Sequence, residues 1–324
     1  MVKTAESVSP RHPDKLCDQI SDAILDACLE QDPDSRVAIE VMGGHGIITI
    51  TGELTTNADF NVRDIAQRIA GEQYGVQINI VKQSPEIANG VDTGGAGDQG
   101  IMVGYACNDN EAMIPQEQYL ARELCKFIYN EFPYDGKTQI TLDEEGFMRT
   151  VVASFQNVHT PTLKAKVERW LSKYASVYAE EGKVVIHANP AGDWSQGGFE
   201  SDTGLTGRKL IVDNYGPQIP IGGGCFSGKD ATKVDRSGAY MARKIAVDML
   251  KANPDSKEVL VKIAYAIGVA DPVMVTAQID GEIIEVKNAV VQPLDIIAFL
   301  GLRTPQFEET AKWGHMGNNF KWDN

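Results

Sequence analysis

The hydrophobic pattern predicts an α+β fold assembled from three copies of a two-layer unit with the element order β-α-β-β-α-β. Three observations carry the prediction. Apolar residues recur at helical spacing in segments that alternate with strand-like segments. The strand-like segments pair around glycine-containing turns. The order helix, hairpin, helix, strand then repeats along the chain, marking sequence units 1–92, 93–200 and 201–324.

In the first unit a helix from about Asp14 to Glu30 places Leu16, Ile20, Ile24 and Ala27 on one face, opposite the acidic Asp18, Asp22 and Asp26. A hairpin follows, with arms Val37 to Met42 and Ile47 to Leu54 around Gly43-Gly44-His45-Gly46. A short helix carrying Val62, Ile65 and Ile69 and a strand from Val76 to Val81 close the unit. The second unit offers a helix from Gln116 to Tyr129, arms Lys137 to Leu142 and Phe147 to Phe155, a helix with Leu163, Val167, Trp170 and Tyr174, and a strand from Val184 to Ala188. The third offers a helix from Arg236 to Leu250, arms Val259 to Ala266 and Val273 to Ile279, and a short helix with Leu294, Ile297 and Leu300. Strands at about Ile101 to Ala106 and Lys209 to Asp213 precede the second and third units. Sheets with helices on one face leave the other to be covered, so self-association is expected.

Composition narrows the function classes. The 324 residues are 43% hydrophobic and 23% charged, an ordinary globular composition. No apolar run reaches the ~18 residues of a spanning helix and no signal-peptide core opens the chain, so a cytoplasmic protein without membrane contact is expected. Five cysteines without C-x-x-C spacing indicate reduced thiols rather than a zinc knuckle. A net charge of −15 argues against nucleic acid as a partner. Positive charge concentrates between Asp202 and Lys244, where Arg208, Lys209, Lys229, Lys233, Arg236, Arg243 and Lys244 stand against four aspartates. That segment reads as a site for a small polyanion, with a solvated charge run as the alternative.

Within it, Gly223 to Lys229 fits G-x-x-x-x-G-K, but Asp230 stands where a P-loop needs the Mg²⁺-binding hydroxyl. Pro217 and Pro220 disfavour a strand ahead of the glycines, so a phosphate contact fits while P-loop architecture does not. A surface turn with a solvated lysine is the competing reading. The five histidines are scattered and no G-x-S-x-G or H-E-x-x-H occurs, so nucleophilic catalysis by the protein is unsupported. Instead, carboxylates, lysines and glycines recur in groups: His12-Pro13-Asp14-Lys15, Gly95-Ala96-Gly97-Asp98-Gln99-Gly100, Asp202 to Lys209, and Gly228 to Asp235.

These groups carry a resemblance. Glu6-Ser7-Val8-Ser9, His12-Pro13-Asp14-Lys15, Asp18-Gln19-Ile20-Ser21-Asp22-Ala23, Lys82-Gln83-Ser84-Pro85, Gly95 to Gly100, Gly204 to Lys209, Gly222 to Ser237 and Tyr265 to Ala270 resemble the methionine adenosyltransferase (S-adenosylmethionine synthetase) family over nearly the whole chain. The resemblance implies three pseudo-threefold-related βαββαβ domains that interleave along the chain. It also implies synthesis of S-adenosylmethionine from ATP and L-methionine, then hydrolysis of tripolyphosphate, with Mg²⁺ and K⁺. A homodimer or homotetramer with active sites at the dimer interface is implied as well.

By the same resemblance His12 would meet the bridging oxygen of the leaving group, and Lys137, Arg208, Lys209 and Lys229 would clamp the triphosphate. Asp14 and Asp235 would be Mg²⁺ carboxylates, with helix capping as their competing role, and Glu40 would serve K⁺. Glu53, Gln83, Asp98, Asp202 and Lys233 match positions around methionine. Trp194 would stack on adenine, with a core tryptophan as the alternative; Asp135 and Cys225 complete the ATP-binding set. The segment from Gln83 to about Val91 resembles a loop that gates the site. Two departures stand out: Arg11 replaces a glycine before His12, and Asp193 stands where a basic residue is usual. The chain is also shorter than typical members.

Overall fold

The computed structural model describes residues 2–82, 94–180 and 182–324. Among them, twelve strands form three four-stranded sheets with helices packed against them, an α+β architecture. The first sheet has the order β4-β3-β2-β9. It joins the hairpin β2 (Arg36–Gly44) and β3 (Ile47–Thr55) to a parallel β4 (Gly75–Val81) and to β9 (Gly204–Leu205). The second sheet, β1-β6-β7-β8, repeats the scheme with β1 (Lys3–Val8), β6 (Gly136–Leu142), β7 (Met148–Phe155) and a parallel β8 (Val185–Ala188). The third, β12-β11-β10-β5, contains β5 (Gly100–Cys107), β10 (Glu258–Tyr265), β11 (Met274–Ile279) and β12 (Glu282–Glu285).

In the third sheet the last strand is antiparallel. No crossover helix separates β11 from β12; Asp280 (φ 48°) and Gly281 (φ 97°) turn the chain in two residues, and both take the positive φ of a tight hairpin. The strands that extend the hairpins come from elsewhere in the chain. β1 pairs with β6, β5 with β10 and β9 with β2, so each sheet is sewn to a distant segment.

The strand expected from Lys209 to Asp213 is not one. Leu210–Asp213 is a short helical turn, α5, and Gly204–Leu205 is the segment that pairs with β2. Three apolar residues are too few for periodicity to separate strand from helix. The buried Asp213 carboxylate bonds the Lys15 ammonium, and that pairing accompanies the helical turn.

All but the last of the major helices lie where the sequence signals place them. These are α1 (Pro13–Leu29), α2 (Val62–Ala70), α3 (Gln116–Tyr129), α4 (Thr160–Tyr174), α6 (Val234–Ala252), α7 (Pro293–Leu300) and α8 (Phe307–Trp313). Proline in the first turn starts α1, α4 and α7, where its missing N–H costs nothing. One large core joins α1, α6 and the first and third sheets through Ile20, Ile24, Val41, Ile50, Met102 and Val261. A second core lies between the β1-β6-β7-β8 sheet and helices α3 and α4, around Leu124, Ile140, Phe155 and Trp170.

Helix α6 lies directly on β5 because Gly104 lacks a side chain. A Cβ there would sit 2.0 Å from the Ala242 carbonyl carbon. Gly104→Ala is therefore expected to destabilise the fold by about 1–3 kcal/mol through forced backbone separation. At Gly75 a Cβ would meet only the Gly46 oxygen at 3.6 Å, so Gly75→Ala should change stability by less than about 0.5 kcal/mol. Urea midpoints of the two variants check the contrast.

Candidate active site

Helix α1 organises the site through four aspartates spaced four apart. Residues i and i+4 of a helix share a face, and Asp14, Asp18, Asp22 and Asp26 form such a row. The row is not a solvated face: Asp14 is 2% exposed, Asp18 1% and Asp22 0%. A buried carboxylate must find donors, and these take the backbone N–H groups of loops distant in sequence. Asp14 Oδ1 accepts from Leu205 N at 2.9 Å, Asp18 Oδ1 from Gly207 N at 2.8 Å and Asp22 Oδ1 from Gly228 N at 2.9 Å. Asp26 accepts from Gln306, Phe307 and Glu308 and so starts α8. Cations neutralise the row: Lys209 on Asp14, Lys15 on Asp18, and a two-nitrogen Arg236 grip on Asp22.

The first functional cluster forms at the N-terminus of α1. His12 caps the helix, its Nδ1 accepting from Asp14 N at 3.2 Å, so the proton of the neutral ring belongs on Nε2. The ring is buried. Burial first, then the nearby Lys209 and Lys137 ammoniums, push its pKa down to about 3. Burial alone would raise the Asp14 carboxyl, but the Lys209 hydrogen bond and the Leu205 N–H hold it below the ordinary carboxylate range. Lys209 Nζ lies 2.5 Å from Asp14 Oδ2 and Arg208 Nε 3.6 Å from Oδ1. Arg208 is about half exposed and donates to the Thr203 carbonyl. Lys137 is exposed on β6. Its neighbour Asp135 is buried and accepts from Gly198 N at 2.8 Å; burial raises its carboxyl.

The second cluster sits in the glycine loop before α6. Lys229 Nζ lies 2.6 Å from Asp235 Oδ2, while Asp235 Oδ1 accepts from Gly224 N at 2.9 Å. Asp230, the mismatched P-loop position, is 2% exposed and acts as a clamp. It accepts from Val37 N at 2.6 Å and Thr232 N at 2.9 Å, fixing the loop to the start of β2, and its Oδ2 also holds Lys233 at 2.5 Å. Glu40 lies exposed on β2 near this loop; partial desolvation raises its carboxyl and the Lys229 ammonium opposes the shift. Cys225 directs Sγ to the Ser227 carbonyl at 3.3 Å, and burial pushes its thiol up.

Other expected site residues lie apart. Asp202 is exposed and bonds its own loop at Thr203 N; Asp98 does the same at Gln99 N. Glu53 is exposed on β3. No hydrogen bond or ion pair among the described residues joins Asp98 or Glu53 to either cluster. Trp194 is half-buried with its Nε1 unpartnered beside a cavity of about 270 Å³ shared with Asn157 and Asp193. Gln83 and the expected gating loop lie outside the described residues.

The basic segment is less available than its charge count implies. Arg236 and Arg243 are fully buried and held by Asp22 and Asp323, while Lys244 pairs with Asp248. The two departures are also engaged. Arg11 donates from Nη1 to the Ile69 carbonyl at the end of α2. Asp193 caps α4 through Thr160 N at 2.8 Å and pairs with His159. Lys15, Asp18 and Asp22, which hold these loops, appear in the sequence only as motif members and a polar helix face, with no role given; the four-residue spacing of the aspartates was the available signal.

No three His, Cys, Asp or Glu side chains converge on a metal position among the described residues. Asp14 and Asp235 are single carboxylates, each already facing a lysine. Such a donor set fits a hard cation that keeps most of its oxygen ligands on a bound polyphosphate, and does not fit a resident metal cage.

Three family models match successive parts of the chain. They are the N-terminal domain of S-adenosylmethionine synthetase over residues 1–85, its central domain over 93–194 and its C-terminal domain over 196–324. Among curated proteins, the chain is 40% identical to an S-adenosylmethionine synthase of Treponema denticola, covering 99% of this chain and 95% of that protein. It is 38% identical to one of Petrotoga mobilis, covering 100% and 96%, and 39% identical to one of Clostridium tetani, covering 97% and 93%. The alignment to the Treponema protein runs over 373 positions, so gaps fall in this 324-residue chain.

The His12 geometry makes a direct prediction. Its folded pKa lies near 3, below the ordinary 6.5, so the ring stays neutral through the physiological range. A depressed histidine contributes stability above pH 6.5 that is lost as pH falls toward 3. The His12 ring resonances should hold their neutral positions from about pH 8 to pH 5. A titration midpoint near 6.5 would contradict the burial and cation contacts described here.

Proposed function

Because the chain belongs to the S-adenosylmethionine synthetase family, we propose that its two lysine–aspartate clusters convert ATP and L-methionine to S-adenosylmethionine and then split tripolyphosphate into phosphate and diphosphate. The enzyme is a methionine adenosyltransferase. The single observation that carries the residue assignment is the buried His12, whose Nδ1 accepts from Asp14 N and whose ring lies near the Lys209 and Lys137 ammoniums that lower its pKa. The chemistry asks for that arrangement. A methionine thioether has no proton to lose, so no general base is needed: the sulfur lone pair forms a bond to C5′ while the C5′–O bond breaks and its electrons go to the bridging oxygen. Rate then comes from alignment and from stabilising the charge that develops on the leaving tripolyphosphate.

His12 Nε2–H would donate to that oxygen, and a neutral donor can do so at every physiological pH. Lys137, Arg208, Lys209 and Lys229 would take the phosphate oxygens. Lys209 and Lys229 now hold Asp14 and Asp235, so polyphosphate entry would exchange ammonium partners. Mg²⁺ at Asp14 and Asp235, bound with the phosphates, would neutralise leaving-group charge; K⁺ would lie by Glu40. The planar fork of Arg208 suits holding tripolyphosphate during its hydrolysis. Asp135, Trp194, Asp202 and Cys225 would serve ATP, and Glu53, Gln83, Asp98, Asp202 and Lys233 would surround methionine.

Residues 83–91 would gate the site. The units 1–92, 93–200 and 201–324 would be related by a pseudo-threefold axis, with strands exchanged between them. Exposed Ile267 and Val273 in the connection between β10 and β11, with Ile283 on β12, support self-association and hence a homodimer or homotetramer with active sites at the dimer interface. No described helix is long and apolar enough to cross a membrane; the proposal of a cytoplasmic enzyme that contacts neither membrane nor nucleic acid draws its support against nucleic acid from the net charge of −15.

Incubation with ATP, L-methionine, Mg²⁺ and K⁺ should yield S-adenosylmethionine, phosphate and diphosphate in equal amounts. Accumulation of ADP would overturn the proposal. Lys229→Ala should lower kcat by about 100-fold or more while shifting stability by only about 1 kcal/mol, since the pair it breaks is partly exposed. Equal losses in both would make Lys229 structural.

A further inference from the structure

A second cavity lies away from both clusters, at the opposite end of the β1-β6-β7-β8 sheet. It holds about 450 Å³ and opens between Lys3 at the start of β1, the first turn of α3 and the turn joining β6 to β7. β1 runs from this cavity toward His12, and β6 runs back to it from Lys137. At ~3.3 Å per residue the strands separate the two sites by about 20 Å.

The wall has two characters. Asp109, Glu117 and Glu145 contribute carboxylates, against the single ammonium of Lys3. Leu142, Phe147 and Tyr178 contribute apolar surface. Asp143, also at the wall, is accounted for: its Oδ1 accepts from Glu145 N at 3.0 Å and Phe147 N at 2.8 Å, and it pairs with Arg149. Glu117 is accounted for only in part, by its own backbone N–H and the nearby Lys3 ammonium. It is 1% exposed, and its Oε2 has no hydrogen-bond partner among the described residues. A buried carboxylate oxygen left without a donor is costly, and burial raises the Glu117 carboxyl accordingly.

No three acidic, histidine or cysteine side chains converge on a metal position among the described residues, so the wall is not a protein cage for an ion. Negative charge spread along an apolar wall matches a ligand with separated cationic ends and a hydrocarbon middle. The volume is that of a small-molecule site. We propose that this cavity binds a small linear aliphatic diamine or oligoamine, with one ammonium at Glu117, another toward Glu145, and the methylenes on Phe147 and Tyr178.

Calorimetric titration of the full chain with 1,5-diaminopentane at low salt tests this directly. Saturable binding is expected, at least tenfold weaker for 1-aminopentane, at least tenfold weaker in Glu117→Gln, several-fold weaker in Glu145→Gln, and stronger in Lys3→Ala. Should Glu117→Gln fail to fold, Glu145→Gln on the exposed turn keeps the test intact. Absence of saturable diamine binding, or binding unchanged in the folded variants, overturns the proposal. Binding of Mg²⁺ alone that Glu117→Gln abolishes, without diamine binding, overturns it as well.

Discussion

The buried acidic face of α1 is the constraint on which the rest of the site depends. Three aspartates with almost no exposure cannot remain charged inside a protein without donors. Those donors are the backbone amides of Leu205, Gly207 and Gly228, together with Lys209, Lys15 and Arg236. The loops that carry Arg208, Lys209 and Lys229 and lead into Asp235 at the start of α6 have little regular structure of their own. Their positions come from a helix about two hundred residues earlier in the chain, and the carboxylates of that helix act as fixed acceptors. The close fit leaves no room for variation: Gly228 has a positive φ of 81°, and a Cβ there would meet the Ile39 carbonyl oxygen at 2.0 Å.

The same row of charges explains the electrostatics of the centre. Cations drawn in to neutralise Asp14 sit close enough to His12 to reinforce burial and keep its ring neutral. The site proposed to stabilise a polyanion thus contains two ammoniums, Lys209 and Lys229, that already have carboxylate partners. In a chain of net charge −15 the charge of Lys209 and Lys229 is paired within the fold, while Arg208 and Lys137 stay exposed. Exchange of those partners for phosphate oxygens costs less reorganisation than gathering free lysines would.

Much of the fold was legible because alternation and helical spacing are local signals. The hairpin arms around Gly43 to Gly46 and the helix of the second unit from Gln116 to Tyr129 lie where their patterns place them. What sequence could not supply was partnership across distance. The aspartates of α1 read as the polar face of an amphipathic helix, and only the loops folded over them reveal burial. Leu210–Asp213 read as a strand because three apolar residues carry no usable period. In the site, His12, Asp14, Lys209, Lys229 and Asp235 were legible as motifs that resemble a family. The buried three-way ion pair of Lys15, Asp18 and Asp213 was not, although Lys15 and Asp18 lie in those motifs, because Asp213 lies some two hundred residues from the other two.

Amide hydrogen exchange in the ligand-free enzyme tests the central role of α1 most directly. If its carboxylates hold the loops, the Gly207 and Gly228 amides exchange as slowly as the core amides of α1 itself, although both residues lie in loops. Exchange of these two amides at the rate of an unstructured loop, while α1 stays protected, would contradict the account.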